Sequence, residues 1–103
     1  MREIDVDQLE KVMAEGVVLV DVREPMEFAE AHVPGAALIP MGQLGARIDE
    51  LDRSGPVYLV CRSGHRSAVV GQMLEAHGFD TINVVGGTLA WVRAGKPYDQ
   101  GLG

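Results

Sequence analysis

The chain has 103 residues and 47% hydrophobic content, enough for one buried core and too short for two independent ones, so a single domain over 1–103 is expected. A formal net charge of −6 excludes nucleic acid or an anionic membrane as the main partner, because an acidic body repels both. A single cysteine excludes an internal disulfide and a multi-thiolate zinc site.

The first residues, MREIDVDQLEK, are charged from position 2 and lack the apolar centre of a secretory signal. No apolar run approaches membrane-spanning length, so a soluble, cytoplasmic protein is expected. Asp5 followed by Gln8 resembles a capping box, and Val6, Leu9, Val12 and Met13 share one helical face before Gly16 ends the pattern. Val17 to Val22, VVLVDV, is continuous and rich in β-branched residues, as expected of a strand buried on both faces. PMEFAEAH predicts a short helix with Pro25 near its start, with Met26 and Phe28 assigned to core packing. PGAALIP turns at Pro34-Gly35 and enters a short strand around Ala37 to Ile39.

In MGQLGARIDELD, Leu44, Ile48 and Leu51 fall at helical spacing and predict a helix. Val57 to Val60, VYLV, is the next buried strand and ends directly at Cys61. From Arg66 a helix is predicted, with Val69, Val70, Met73 and Leu74 turned inward and Gly78 closing it. TINVV is a further strand, Gly86-Gly87 a turn, and TLAWVRAG a last helix with Trp91 in the core. The ordered core is expected over about 3–95, with KPYDQGLG as a loosely held tail. Strands and helices alternate with short connections, the pattern of a parallel α/β sheet covered on both faces.

In such sheets, ligand sites lie beyond the carboxyl ends of the strands, where Cys61 falls. Residues Arg62 to Arg66 must turn the chain into a helix; Gly64 permits positive φ, and successive N–H groups can then converge on one concavity at a helix N-terminus. A thiolate is an anion, so this nest favours ionised Cys61, while Arg62, Arg66 and His65 add charge able to hold an anionic substrate. The blander alternative is an inert buried thiol beside solvated arginines. Asp21 and Arg23, at the end of another strand, are supporting candidates: Arg23 as a substrate contact and Asp21 as a brace, or the two as a salt-bridged pair. Glu24 and Glu27 are expected to be exposed acids at the start of a short helix. His32 is expected to fix a turn, and His77 to sit near a helix C-terminus. Cys61 and His65 lack further ligands for a metal.

These motifs carry a resemblance. CRSGHRS is similar to the active-site loop of single-domain rhodaneses, the thiosulfate sulfurtransferase-type family. DVREPMEFAEAHVPGAALIP, residues 21–40, resembles that family's upstream signature: Asp-Val-Arg, an acid before an aromatic, a His, then Gly-Ala and Ile-Pro. VVGGTLAW, residues 84–91, resembles its paired-glycine and tryptophan signature. Ala31 departs from the glycine common before the upstream His.

The resemblance implies a central five-stranded parallel sheet flanked by helices, with Arg2 to Ile4 supplying an extra strand. It also implies a sulfur relay through a Cys61 persulfide, cradled by the N–H groups from Arg62, Ser63, Gly64, His65 and Arg66 through Ser67, with Arg66 bracing the loop. The implied partners are a small anionic sulfur donor and a thiol-bearing acceptor, small molecule or protein, with no metal or organic cofactor and a monomeric chain. Four residues separate Cys61 from Arg66, one fewer than in related phosphatase and arsenate-reductase loops, and Val60 stands where those phosphatases usually have histidine. An oxyanion enzyme, or a non-catalytic binding or persulfide-sensing module, is the alternative reading.

Overall fold

The computed structural model describes residues 1–102; Gly103, the end of the expected domain span, lies outside the described residues. Nine regular elements follow one another: β1 (Arg2–Ile4), α1 (Val6–Met13), β2 (Val18–Asp21), α2 (Pro25–Glu30), β3 (Ala37–Leu38), β4 (Val57–Val60), α3 (His65–Ala76), β5 (Thr81–Val84) and α4 (Gly87–Arg93). The strands form one five-stranded sheet in the order β1-β5-β4-β2-β3, and all four pairings are parallel. The Arg2 to Ile4 strand expected from the resemblance is therefore present, against β5.

Side chains alternate across a strand, and the central strand shows what that does. Val57, Leu59 and Cys61 face one core with Val70 and Leu74 of α3, while Tyr58 and Val60 face a second core with Leu9 of α1 and Trp91 of α4. A sheet covered on both sides needs strands apolar at every position, which is why β4 carries no alternation in its sequence. α1 begins as its sequence predicts: Asp5 accepts from the Gln8 N–H and Gln8 Oε1 accepts from the Asp5 N–H, two orphan donors satisfied reciprocally. Lys96 bonds Asp7 and Glu10 and ties α1 to the segment after α4.

Four expectations are corrected. Residues 41–52 do not form one α-helix but two 3₁₀ turns, Met41–Gln43 and Ile48–Glu50. Leu44 and Leu51 are still buried, so the apolar spacing was read correctly; Gly42 and Gly45 remove the propensity that would have joined the turns. In α3 the inward face is Ser67, Val70, Gly71 and Leu74, and Val69 is exposed. Ser67 and Gly71 were invisible to a hydrophobic count, although both lie at helical spacing with Val70 and Leu74. Met26 is 82% exposed while Phe28 is buried and stacks on His32, so the pair splits.

Within the described residues the tail is held, not loose. Asp99 bridges His32 through the backbone, the Trp91 indole N–H donates to Pro97 O at 2.7 Å, and Gly101 N–H donates to Ala29 O. Ala31, the departure in the upstream signature, has φ −168 and ψ 134, extended backbone that alanine adopts without strain. Among the described residues no helix is long and apolar enough to cross a membrane.

Candidate active site

Cys61 follows the last residue of the central strand and is 1% exposed, so its sulfur is approached from the loop rather than from open solvent. The chain then turns within three residues. Gly64 takes φ +108, in the left-handed region that only glycine enters freely, and serves as the N-cap of α3. That turn brings the Gly64 N–H to 3.1 Å from Cys61 Sγ. The Ser67 hydroxyl, one turn into α3, lies 3.3 Å from the same sulfur.

Burial is the largest influence on the thiol and pushes its pKa up. The Ser67 hydroxyl together with the N–H groups of Ser67, Gly64 and Ser63 outweighs it, so the net shift is downward, toward thiolate. These donors are the loop's own N–H groups together with the Ser67 hydroxyl. The Ser67→Ala variant is expected to move the pH profile of Cys61 alkylation upward and to slow alkylation several-fold near neutrality; an unchanged profile would remove the hydroxyl from this role.

Ser67 is itself positioned by a residue the sequence reading did not select. Its hydroxyl lies 2.5 Å from Asn83 Oδ1, and the Asn83 amide donates to Gly64 O at 3.2 Å. Asn83 is 2% exposed in β5, and an asparagine amid TINVV was the available signal, since a buried amide must be bonded to something specific.

Arg66 is engaged with a partner on α2. Its guanidinium does not hang free over the sulfur but makes a two-pronged ion pair with Glu27, both contacts at 2.7 Å. Glu27 Oε1 also accepts the Glu24 N–H at 3.1 Å. Glu27 was expected to be an exposed acid; it is half-buried because its helix start abuts the loop. The Arg66 guanidinium beside Glu27 is the main reason its carboxyl is lowered to about 2. A depressed carboxylate stabilises the fold fully above its ordinary value of 4.5 and loses that contribution as pH falls toward about 2. Glu27→Gln lacks this dependence, so the difference between its urea midpoint and that of the native protein should shrink as pH falls from 5 to 2. A constant difference would mean the pair does not bear on stability.

Asp21 and Arg23 form the buried pair that was one of the two readings offered for them. The Arg23 guanidinium donates to Asp21 Oδ2 at 2.8 Å and to Ala31 O at 2.7 Å, which fastens the end of β2 to the end of α2. His65 is exposed at the first position of α3, and Arg62 and Ser63 are exposed in the loop. His32 Nδ1 contacts Phe28 O, and His77 Nδ1 contacts Met73 O at the C-terminus of α3, as expected of both.

The far side of the loop is held by α4. The N–H groups of Thr88 and Leu89, in the first turn of α4, donate to the carbonyls of Cys61 and Arg62 at 2.9 and 3.0 Å. Helix-start donors that would otherwise be orphaned thereby fix the loop. The close approach requires Gly87 at φ +57: a Cβ there would stand 2.6 Å from Arg62 O and meet Cys61 O as well.

A Sulfurtransferase of Allochromatium vinosum is 37% identical over 100 residues, covering 94% of this chain and 94% of that one. The Thiosulfate sulfurtransferase GlpE of Actinobacillus pleuropneumoniae is 33% identical over 91 residues, covering 87% and 84%. The crystal structure of a Rhodanese-like Domain Protein from Staphylococcus aureus superposes with a TM-score of 0.84 at 40% identity, covering 88% of this chain and 91% of that one. The family model of the Rhodanese-like domain matches residues 5–94, and with the five-stranded parallel sheet and the cysteine loop at its carboxyl end, the chain belongs to the rhodanese-like sulfurtransferase family.

Proposed function

We propose that the protein moves a sulfane sulfur from a small anionic donor to a thiol acceptor through a persulfide on Cys61. The observation that carries this reading is a buried sulfur at the end of the central strand that receives N–H and O–H donors from the loop that follows it. In the first step the Cys61 thiolate attacks the outer sulfur of thiosulfate; the S–S bond of the donor breaks, and sulfite leaves with the electron pair. In the second, an acceptor thiolate attacks the terminal sulfur of the persulfide, and Cys61 departs as thiolate. The charge of the persulfide falls where the donors already converge, so little rearrangement accompanies transfer.

A single free cysteine fits a reducing, cytoplasmic setting and an acceptor that brings its own thiol. Nothing in the relay calls for a second subunit, and we propose a monomer. The experiment is intact-protein mass spectrometry after incubation with thiosulfate and removal of small molecules, followed by cyanide. A gain of one sulfur atom, lost as thiocyanate forms, is expected. A folded protein that gains sulfur neither from thiosulfate nor from a low-molecular-weight persulfide would overturn the reading.

A further inference from the structure

The Ser67 hydroxyl has a single hydrogen and several acceptors around it: Asn83 Oδ1 at 2.5 Å, Cys61 Sγ at 3.3 Å and Gly64 O at 3.3 Å. Cys61, Ser67 and Asn83 are all buried, so the competition for that hydrogen is settled among the protein's own atoms.

The Asn83 amide is not free to turn over. Its Nδ2 lies 3.2 Å from Gly64 O and 3.4 Å from Glu3 Oε2, a carbonyl and a carboxylate oxygen that only accept. The amide nitrogen therefore faces them, which leaves Oδ1, itself an acceptor, facing Ser67. Gly64 O also takes the Ala68 N–H at 3.2 Å, so its two lone pairs are occupied by Ala68 and Asn83. The Ser67 proton is contested by Asn83 and the sulfur.

The charge on the sulfur decides that contest. A thiol is a weak acceptor, so against neutral Cys61 the proton goes to Oδ1 and the S–H can point at the Ser67 oxygen. A thiolate accepts a charge-assisted bond, roughly twice as strong as a neutral one, so against ionised Cys61 the hydroxyl turns to the sulfur and Oδ1 is left unpaired. We propose that Asn83 is a positioning residue, acting through Ser67, that takes the hydroxyl proton while Cys61 is a thiol and yields it when the sulfur becomes an anion. The O–H bond stays intact and only rotates. Because a buried amide oxygen loses its bond in the anionic state, Asn83 restrains an ionisation that Ser67 would otherwise favour more strongly. The proposal deepens the sulfur-transfer reading and rests on it for one step: as the S–S bond of the persulfide breaks, its electron pair returns to Cys61 Sγ, and the hydroxyl turns from Asn83 to the departing thiolate.

The charged groups around this pair come from several elements. Arg66 of α3 feels the charge of Cys61 but is held by Glu27 of α2, Asp21 of β2 is paired with Arg23, and Glu3 of β1 reaches Asn83. Arg62 on the loop and His65 at the start of α3 are exposed. Substitution at 67 or 83 removes none of these groups, so a difference between such variants reports the hydroxyl.

The test is an NMR pH titration of the native chain that follows the side-chain carbonyl carbon of Asn83 beside the rate of Cys61 alkylation by iodoacetamide. That carbon should move upfield over the pH range in which alkylation accelerates, as its bond to Ser67 is released, and should stay nearly fixed in Ser67→Ala. Asn83→Ala should displace the alkylation profile downward and speed alkylation near neutrality about threefold. It should change nothing in the Ser67→Ala background, since an action through the hydroxyl vanishes with it. A role confined to holding Gly64 would act equally in both backgrounds. An upward displacement, an equal effect in both backgrounds, or an Asn83 signal that ignores Cys61 ionisation or follows it equally without Ser67 would overturn the proposal. The NMR arm leaves residue 83 intact, which keeps the test decisive even where Asn83→Ala fails to fold. Neither readout uses a sulfur donor, so a coupled titration in a protein that loads no sulfur from any donor would instead overturn the transfer reading.

Discussion

Cys61→Ser is expected to abolish sulfur loading while leaving the fold in place. The sulfur is the sole atom at the loop's focus able to attack a sulfane sulfur at neutral pH: a serine hydroxyl in the same position stays protonated and is a poor nucleophile. Loss of a covalent nucleophile elsewhere lowers turnover by orders of magnitude, and a fall of about 10⁴-fold or more is expected here. Stability should change little. The substituted hydroxyl can accept the Gly64 N–H that now points at the sulfur, so the small loss of apolar contact in the core around Val70 and Leu59 is partly offset. The mass of the variant after thiosulfate, read beside its circular dichroism spectrum and urea midpoint, decides the matter. A folded variant that still gains a sulfur atom would remove Cys61 from the mechanism.

The second large effect is at Gly87, where no nucleophile is involved. Gly87→Ala is expected to lower stability by about 2–4 kcal/mol, combining the penalty for a side chain at positive φ with forced displacement of backbone. The displaced atoms matter more than the energy. The Cβ would press on Cys61 O and on Arg62 O, which accept from the helix that anchors the loop. For a domain of this size such a loss corresponds to a fall in Tm of roughly 10–25 °C. Sulfur loading should fall even at temperatures where the variant remains folded, because the loop would be pushed off the geometry that holds Cys61. Gly95→Ala is the control. Gly95 also has positive φ, at +75, but a Cβ there meets nothing within 4 Å, so it isolates the backbone penalty of about 1 kcal/mol. Equal Tm values for the two variants would show that the close approach of Gly87 to the loop is immaterial.

Local patterns were a sound guide wherever conformation and burial are decided by neighbours in sequence. Asp5 and Gln8 form the capping box they predict, and VYLV is buried at every position as a central parallel strand must be. The same reasoning failed at 41–52, where correct apolar spacing was laid on a segment too rich in glycine to wind as one helix. It failed again at Val69, because the inward face of α3 includes Ser67 and Gly71, chosen for fit against the loop and β5 rather than for hydrophobicity. The tail was read as loose from its composition, yet it is fastened by backbone bonds to α2 and by the Trp91 indole.

The sequence by itself determined the place of the lone cysteine, the loop and the sheet. A lone cysteine at the end of an unbroken apolar strand, followed by a glycine turn and a helix, is a local arrangement, and backbone sterics and hydrogen-bond capacity convert it directly into a concave set of donors. Only the tertiary structure decided which side chains hold that loop. Glu27 meets Arg66 across 39 residues and Asn83 meets Ser67 across 16, and no periodicity encodes such pairings, because they depend on how α2 and β5 pack beside α3. The Arg66 charge, expected from sequence to help hold an anionic substrate, meets Glu27 instead because of that packing, since a half-buried guanidinium gains from a two-pronged carboxylate contact.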